Sequence, residues 1–150
     1  GGGGGAAAAA AGSAGRGLEI GAVVLSQLRG THLVMADGRK LKSYLVVEQG
    51  SSREETKVKT EEEPKWDESF TFVITDLVQD IVSIKLMEKA LVGDDRLAGA
   101  VTIPVADILK ANGQIEKDFN LEDNDGKLGQ SAKLHAHLLL RTYTGSAGGR

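Results

Sequence analysis

Residues 64–74 read PKWDESFTFVI, and the rest of the chain can be placed around them. Trp66, Glu68, Phe70, Phe72 and Ile74 alternate with Asp67, Ser69, Thr71 and Val73. That two-residue period is the mark of a β-strand with one buried face. The single Trp and two of the three Phe of the chain lie here. The heaviest apolar side chains therefore enter the core on this strand, and other strands pack around it.

Seven further stretches carry strand patterns. Residues 18–28 (LEIGAVVLSQL) and 43–47 (SYLVV) are apolar and β-branched enough for buried strands. Residues 54–60 (EETKVKT) set Thr56, Val58 and Thr60 against Lys57 and Lys59, a strand with one solvated face. A polar turn is expected before it, at 49–53. Residues 81–88 put Val82, Ile84 and Leu86 on one side, and 97–103 (LAGAVTI) run to Pro104. Residues 117–121 (KDFNL) form a short strand, and 132–143 set Leu134, Ala136, Leu138 and Leu140 against Lys133, His135, His137 and Arg141. Only 105–111 suits a helix, with Gly113 just past its end. Eight short strands separated by polar turns imply an all-β, eight-stranded antiparallel β-sandwich.

Residues 1–17 (GGGGGAAAAAAGSAGRG) and 144–150 (TGSAGGR) contain little that can be buried. They are expected to be disordered tails flanking one domain over 18–143. A net charge of −3 and pI near 5.6 argue against nucleic acid as a partner. There is no cysteine, hence no disulfide framework or thiolate metal site, and a reducing setting is permitted. No apolar run approaches the ~20 residues of a membrane span. The opening residues lack the basic region and apolar core of a secretory signal.

Residues 64–72 resemble the P-x-W-N/D-E-x-F-x-F strand of C2 domains. Four other landmarks follow the family's order. Residues 20–33 resemble its opening strand, and 42–45 (KSYL) stand where S-D-P-Y is usual. Residues 84–99 (IKLMEKALVGDDRLAG) resemble its V-x-V-x-D-x-D…D-D-x-L-G segment, and 101–109 its I-P-L-x-x-L. Residues 132–140 (AKLHAHLLL) are similar to the family's G-K-L-x-x-x-L strand and come last. The resemblance therefore implies a C2-like sandwich in the type II permutation. It also implies that the charged loops joining strands one–two, three–four and five–six meet at one end.

In calcium-dependent C2 domains, aspartates from the first and third of these loops hold Ca²⁺, which bridges the domain to anionic lipid. The ion needs about 6–8 converging oxygens. The resemblance leaves Asp37, Glu88, Asp94 and Asp95 as candidate ligands, with Lys42 and Ala90 where aspartates would stand. Arg39, Lys40, Lys89 and Arg96 crowd the same tip, so calcium independence, with no cofactor, is the expectation. Lys57 and Lys59, with Arg53 and Lys65, fall near strands three and four, where C2 domains often bind phosphoinositides; Glu54, Glu55, Glu61, Glu62 and Glu63 interleave with them. Residues 122–127 (EDNDGK) lack two oxygens of an EF-hand loop and read as a polar turn. His135 and His137 read as a surface pair without a third metal ligand. The sequence carries no G-x-S-x-G, H-E-x-x-H or phosphate-binding glycine motif, so no enzyme is expected.

Two functions are compatible with this reading. The first, put ahead because the calcium cage and basic patch both look degraded, is a non-catalytic module for protein–protein interaction or scaffolding. The second is peripheral binding to anionic phospholipid, calcium assisting if the ligands converge. Its contacts would be Arg39, Lys40, Lys42, Lys89, Lys57 and Lys59, with Leu41, Leu91 and Val92 as shallow insertion points. The expected location is cytoplasmic, peripheral to a membrane or the cytoskeleton.

Overall fold

Alternating apolar residues produce eight strands among residues 19–143, which the computed structural model describes. The tails expected at 1–17 and 144–150 lie outside the described residues. The strands are β1 (Gly21–Thr31), β2 (Ser43–Gln49), β3 (Ser52–Glu55), β4 (Phe70–Ile74), β5 (Ile81–Glu88), β6 (Arg96–Pro104), β7 (Gln114–Asn120) and β8 (Lys133–Thr142). One short helix, α1 (Val105–Lys110), follows Pro104, whose extended backbone ends the strand and opens the helix. Two four-stranded antiparallel sheets result, ordered β4-β1-β8-β7 and β3-β2-β5-β6. The last strand lies beside the first, as the type II order requires.

Each sheet gives one face to a common core. Val82, Ile84 and Leu86 of β5 and Leu134, Ala136, Leu138 and Leu140 of β8 are buried, at the alternate positions their sequences mark. In β1 the period slips. Val23 and Leu25 face inward, and so does Leu28, three positions on. A bulge between Ser26 and Arg29, with Gln27 at φ 55°, re-phases the strand.

Several expected spans shift. Residues 54–60 are not one strand. β2 runs on to Gln49, Gly50 turns the chain at φ 60°, and β3 is Ser52–Glu55, so the expected turn at 49–53 is a tight hairpin. Beyond it Thr56 N still donates to Leu45 O at 3.0 Å, Lys59 pairs through a bridge to Ser43, and Val58 is exposed. Residues 64–74 keep their alternation but not their ladder. Trp66 is 3% exposed and Phe72 2%. Asp67, at φ 52°, interrupts the strand, leaving a bridge from Lys65 to Arg29 before β4 begins. The seventh strand starts earlier than expected, at Gln114.

Candidate functional site

Strand direction places four loops at one end: residues 32–42, 56–69, 89–95 and 121–132. The first loop is the hub. Its Leu33 N donates to Glu62 O of the second loop (2.9 Å), and its Lys42 O accepts from Lys89 N of the third (2.8 Å). Its Ala36 N donates to Lys127 O of the fourth (2.7 Å). The three loops singled out in the sequence thus meet. The fourth, read there only as a polar turn, joins them.

Glu88, at the end of β5, is the centre of the charged groups. Arg39 Nη1 donates to its Oε2 at 2.5 Å, and Arg96 Nη2 and Nε donate to its Oε1 at 3.1 and 3.2 Å. Arg96 also faces Asp125 of the fourth loop at 3.6 Å. Burial pushes the Glu88 carboxyl up, but the two arginines outweigh it and hold it below its ordinary value. Arg39 is correspondingly raised, chiefly by its hydrogen bond to Glu88.

Asp95 is held in a second cluster. Ala90 N donates to its Oδ1 at 2.8 Å, Tyr44 Oη to its Oδ2 at 2.5 Å, and Lys89 Nζ lies 3.6 Å from the same oxygen. The backbone donor first, then the Tyr44 hydroxyl, lower its pKa. Tyr44 is pushed up to about 12, chiefly by its hydrogen bond to Asp95. Asp37 turns on itself, its Oδ1 accepting from Arg39 N at 3.0 Å, and Asp94 is exposed.

A calcium ion needs about 6–8 oxygens free to converge on it. Here both oxygens of Glu88 and both of Asp95 already serve internal donors. Among the described residues no three His, Cys, Asp or Glu side chains come together as a metal-holding group. The donor set does not fit the ion.

The tip of the third loop is apolar. Leu91 is 89% exposed and Val92 91%. Leu41, expected beside them as an insertion point, is 1% exposed: it packs in the core just before β2. Lys40 and Lys42 are exposed on the first loop, and half-exposed Lys89 shares the third. Lys57 and Lys59 sit on the second loop, one exposed and one half-buried, with Lys59 beside Ser43. The neighbouring sheet face is largely neutralised. Arg53 pairs with Glu55 at 2.6 Å, and Lys85 with Glu48 at 2.9 Å.

Tyr44 and Asp125 are the site residues the sequence reading did not assign roles; Arg96 was placed at the tip only as a positive charge. Tyr44 carries a signal in the sequence, since KSYL places it at the tyrosine of the S-D-P-Y motif. His135 and His137 share the outer face of β8. His135 is held between Asp118 and Glu116 of β7 at 2.7 and 3.0 Å, and His137 faces Gln114 at 2.9 Å.

A C2 domain family model matches residues 21–121. No curated protein sequence matches the chain. Among solved structures, an extended-synaptotagmin 2 fragment comprising its SMP domain and two C2 domains superposes with TM-score 0.73 at 18% identity, over 84% of this chain and 28% of that one. A single C2 domain of plant extended synaptotagmin 1 gives TM-score 0.69 at 19% identity, over 85% of this chain and 98% of that domain. Human GIVD cytosolic phospholipase A2 gives TM-score 0.68 at 18% identity, over 87% of this chain but 17% of the enzyme. This chain thus spans only a small part of the multidomain relatives, and at these identities the likeness is one of fold. With the matched model covering most of the described residues, the chain belongs to the C2 domain family.

Proposed function

We propose that this domain docks on anionic membrane surfaces through the tip of residues 89–95, without calcium as a ligand. C2 domains are non-catalytic binding modules for membranes or for proteins, so the family leaves the choice open. The observation that carries the membrane reading is the pair Leu91 and Val92, 89% and 91% exposed at the summit of a loop. Each side chain of this kind gains about 1.5–3 kcal/mol on leaving water completely. Lys89 flanks it in the same loop, Lys42 adjoins Lys89 through a backbone hydrogen bond and Lys40 is exposed on the first loop at the same end, each basic group adding about 1 kcal/mol near an anionic surface. Insertion of two residues with a basic collar gives shallow, reversible binding.

Protein interaction stood first on sequence because the calcium cage and basic patch looked degraded. That reasoning leaves Leu91 and Val92 unexplained, and so yields first place. Among residues 19–143 no helix is long and apolar enough to cross a membrane. Co-sedimentation with vesicles containing phosphatidylserine tests the proposal. The wild-type chain is expected to pellet equally in EDTA and in calcium, and less at high salt. Leu91→Asp with Val92→Asp should abolish pelleting without changing the melting temperature. Equal pelleting of that variant, or none by the wild type, would return the domain to the protein-binding reading.

A further inference from the structure

We infer that Arg39 and Arg96 do in this chain the loop-tying work of a bound divalent cation. A cation coordinated by carboxylates from several loops holds them together by neutralising their charge. Here the shared carboxylate is Glu88 and the cations are built in. Glu88 gives one oxygen to Arg39 of the first loop at 2.5 Å and the other to Arg96, its cross-strand partner on β6, at 3.1 Å. Arg96 reaches on to Asp125 of the fourth loop at 3.6 Å. Two guanidiniums, the Glu88 carboxylate they share and Asp125 thereby link three connections that are far apart in sequence.

The setting makes these contacts more than a surface ion pair. Glu88 keeps only 15% of its side-chain surface, against 54% for Arg39 and 30% for Arg96. A shielded carboxylate with a donor on each oxygen is held in one geometry. Deleting one partner then leaves charge uncompensated. Lys89 and Asp95 repeat the arrangement on the third loop, with Tyr44 as a neutral donor.

Hydrogen exchange on the full chain, in EDTA and in 1 mM calcium (about the weak end of protein calcium sites), tests the inference without any membrane. Its outcome is therefore separable from that of vesicle binding. The wild-type chain should exchange identically in both conditions across residues 32–42 and 88–96. Arg39→Gln should speed exchange in both stretches together, by roughly tenfold. Lys40→Gln, an equal charge change one residue away, should leave both as they were. Glu88→Gln, which frees Arg96 as well, should speed exchange in both stretches at least as much as Arg39→Gln, and the double variant should be no faster than Glu88→Gln alone, because Arg39 then has no partner left to lose. Protection of the wild-type loops by calcium would overturn the inference. So would an Arg39→Gln effect confined to residues 32–42, which would make the backbone bond from Lys89 to Lys42 a sufficient tie.

Discussion

Trp66 packs at 3% exposure among Leu28, Phe72 and the rest of the core, and its indole Nε1 has no hydrogen-bond partner among the described residues. Its value is therefore volume rather than polarity. Trp66→Ala should cost about 3–5 kcal/mol by loss of burial and the cavity left behind. Trp66→Phe should cost markedly less, about 1–2 kcal/mol, because it keeps most of the ring and removes an unsatisfied N–H. Urea unfolding of the two variants measures both; equal losses would show that the indole N–H is satisfied in solution. At the site, the carboxylates Glu88, Asp95 and Asp37 were singled out by the resemblance to C2 domains. Their partners were not. Arg39 reaches Glu88 across 49 positions and Tyr44 reaches Asp95 across 51, contacts that only the folded sheets create.

Strands with an unbroken period were legible almost to their ends. β5 matches the expected span of 81–88, and β8 falls within 132–143. Where a residue leaves the extended region, periodicity misleads. Asp67 at φ 52° cuts the 64–74 strand short, though Trp66 and Phe72 keep the inward phase that marked it. Thr56 is buried for a different reason from the one its alternation suggested: its hydroxyl oxygen accepts from Leu45 N at 2.9 Å. β1 shows the same limit in its bulge, where Gln27 takes φ 55°. A β-branched side chain is strained there. Gln27→Val should therefore destabilise by roughly 1–2 kcal/mol, while Gln27→Gly should be nearly neutral. Paired thermal melts read the difference; equal stability of the two would mean that the bulge slides.

For the whole molecule, the sandwich and its permutation were legible because five motifs and the strand order point to one family. The preference between partners was not, because it turns on whether Leu41, Leu91 and Val92 fold in or stand out. One folds in and two stand out. The internal pairs also set the pH range of stability. Glu88, Asp95 and Asp123, whose Oδ2 accepts from Leu128 N at 2.6 Å, titrate below their ordinary values of 4.5, 3.8 and 3.8, so their contribution is complete above those values and is lost as pH falls further. Tyr44 is raised from 10.0 to about 12, so its contribution is complete below pH 10 and is lost as pH climbs towards 12. The melting temperature should be flat between these limits and fall on both sides. Tyr44→Phe should remove part of the alkaline fall and leave the acid limb in place.

The central claim is that the loop tip meets the membrane with no metal to assist it. Because the chain has no cysteine, a single introduced thiol can carry an environment-sensitive fluorophore. Val92→Cys labels the tip, and Val78→Cys labels an exposed residue between β4 and β5, at the end of the sandwich remote from the four loops. On adding phosphatidylserine vesicles in EDTA, the label at position 92 should shift to the blue and brighten, the label at 78 should not change, and calcium should add nothing. No shift at 92, a shift that appears only with calcium, or an equal shift at 78 would contradict the account.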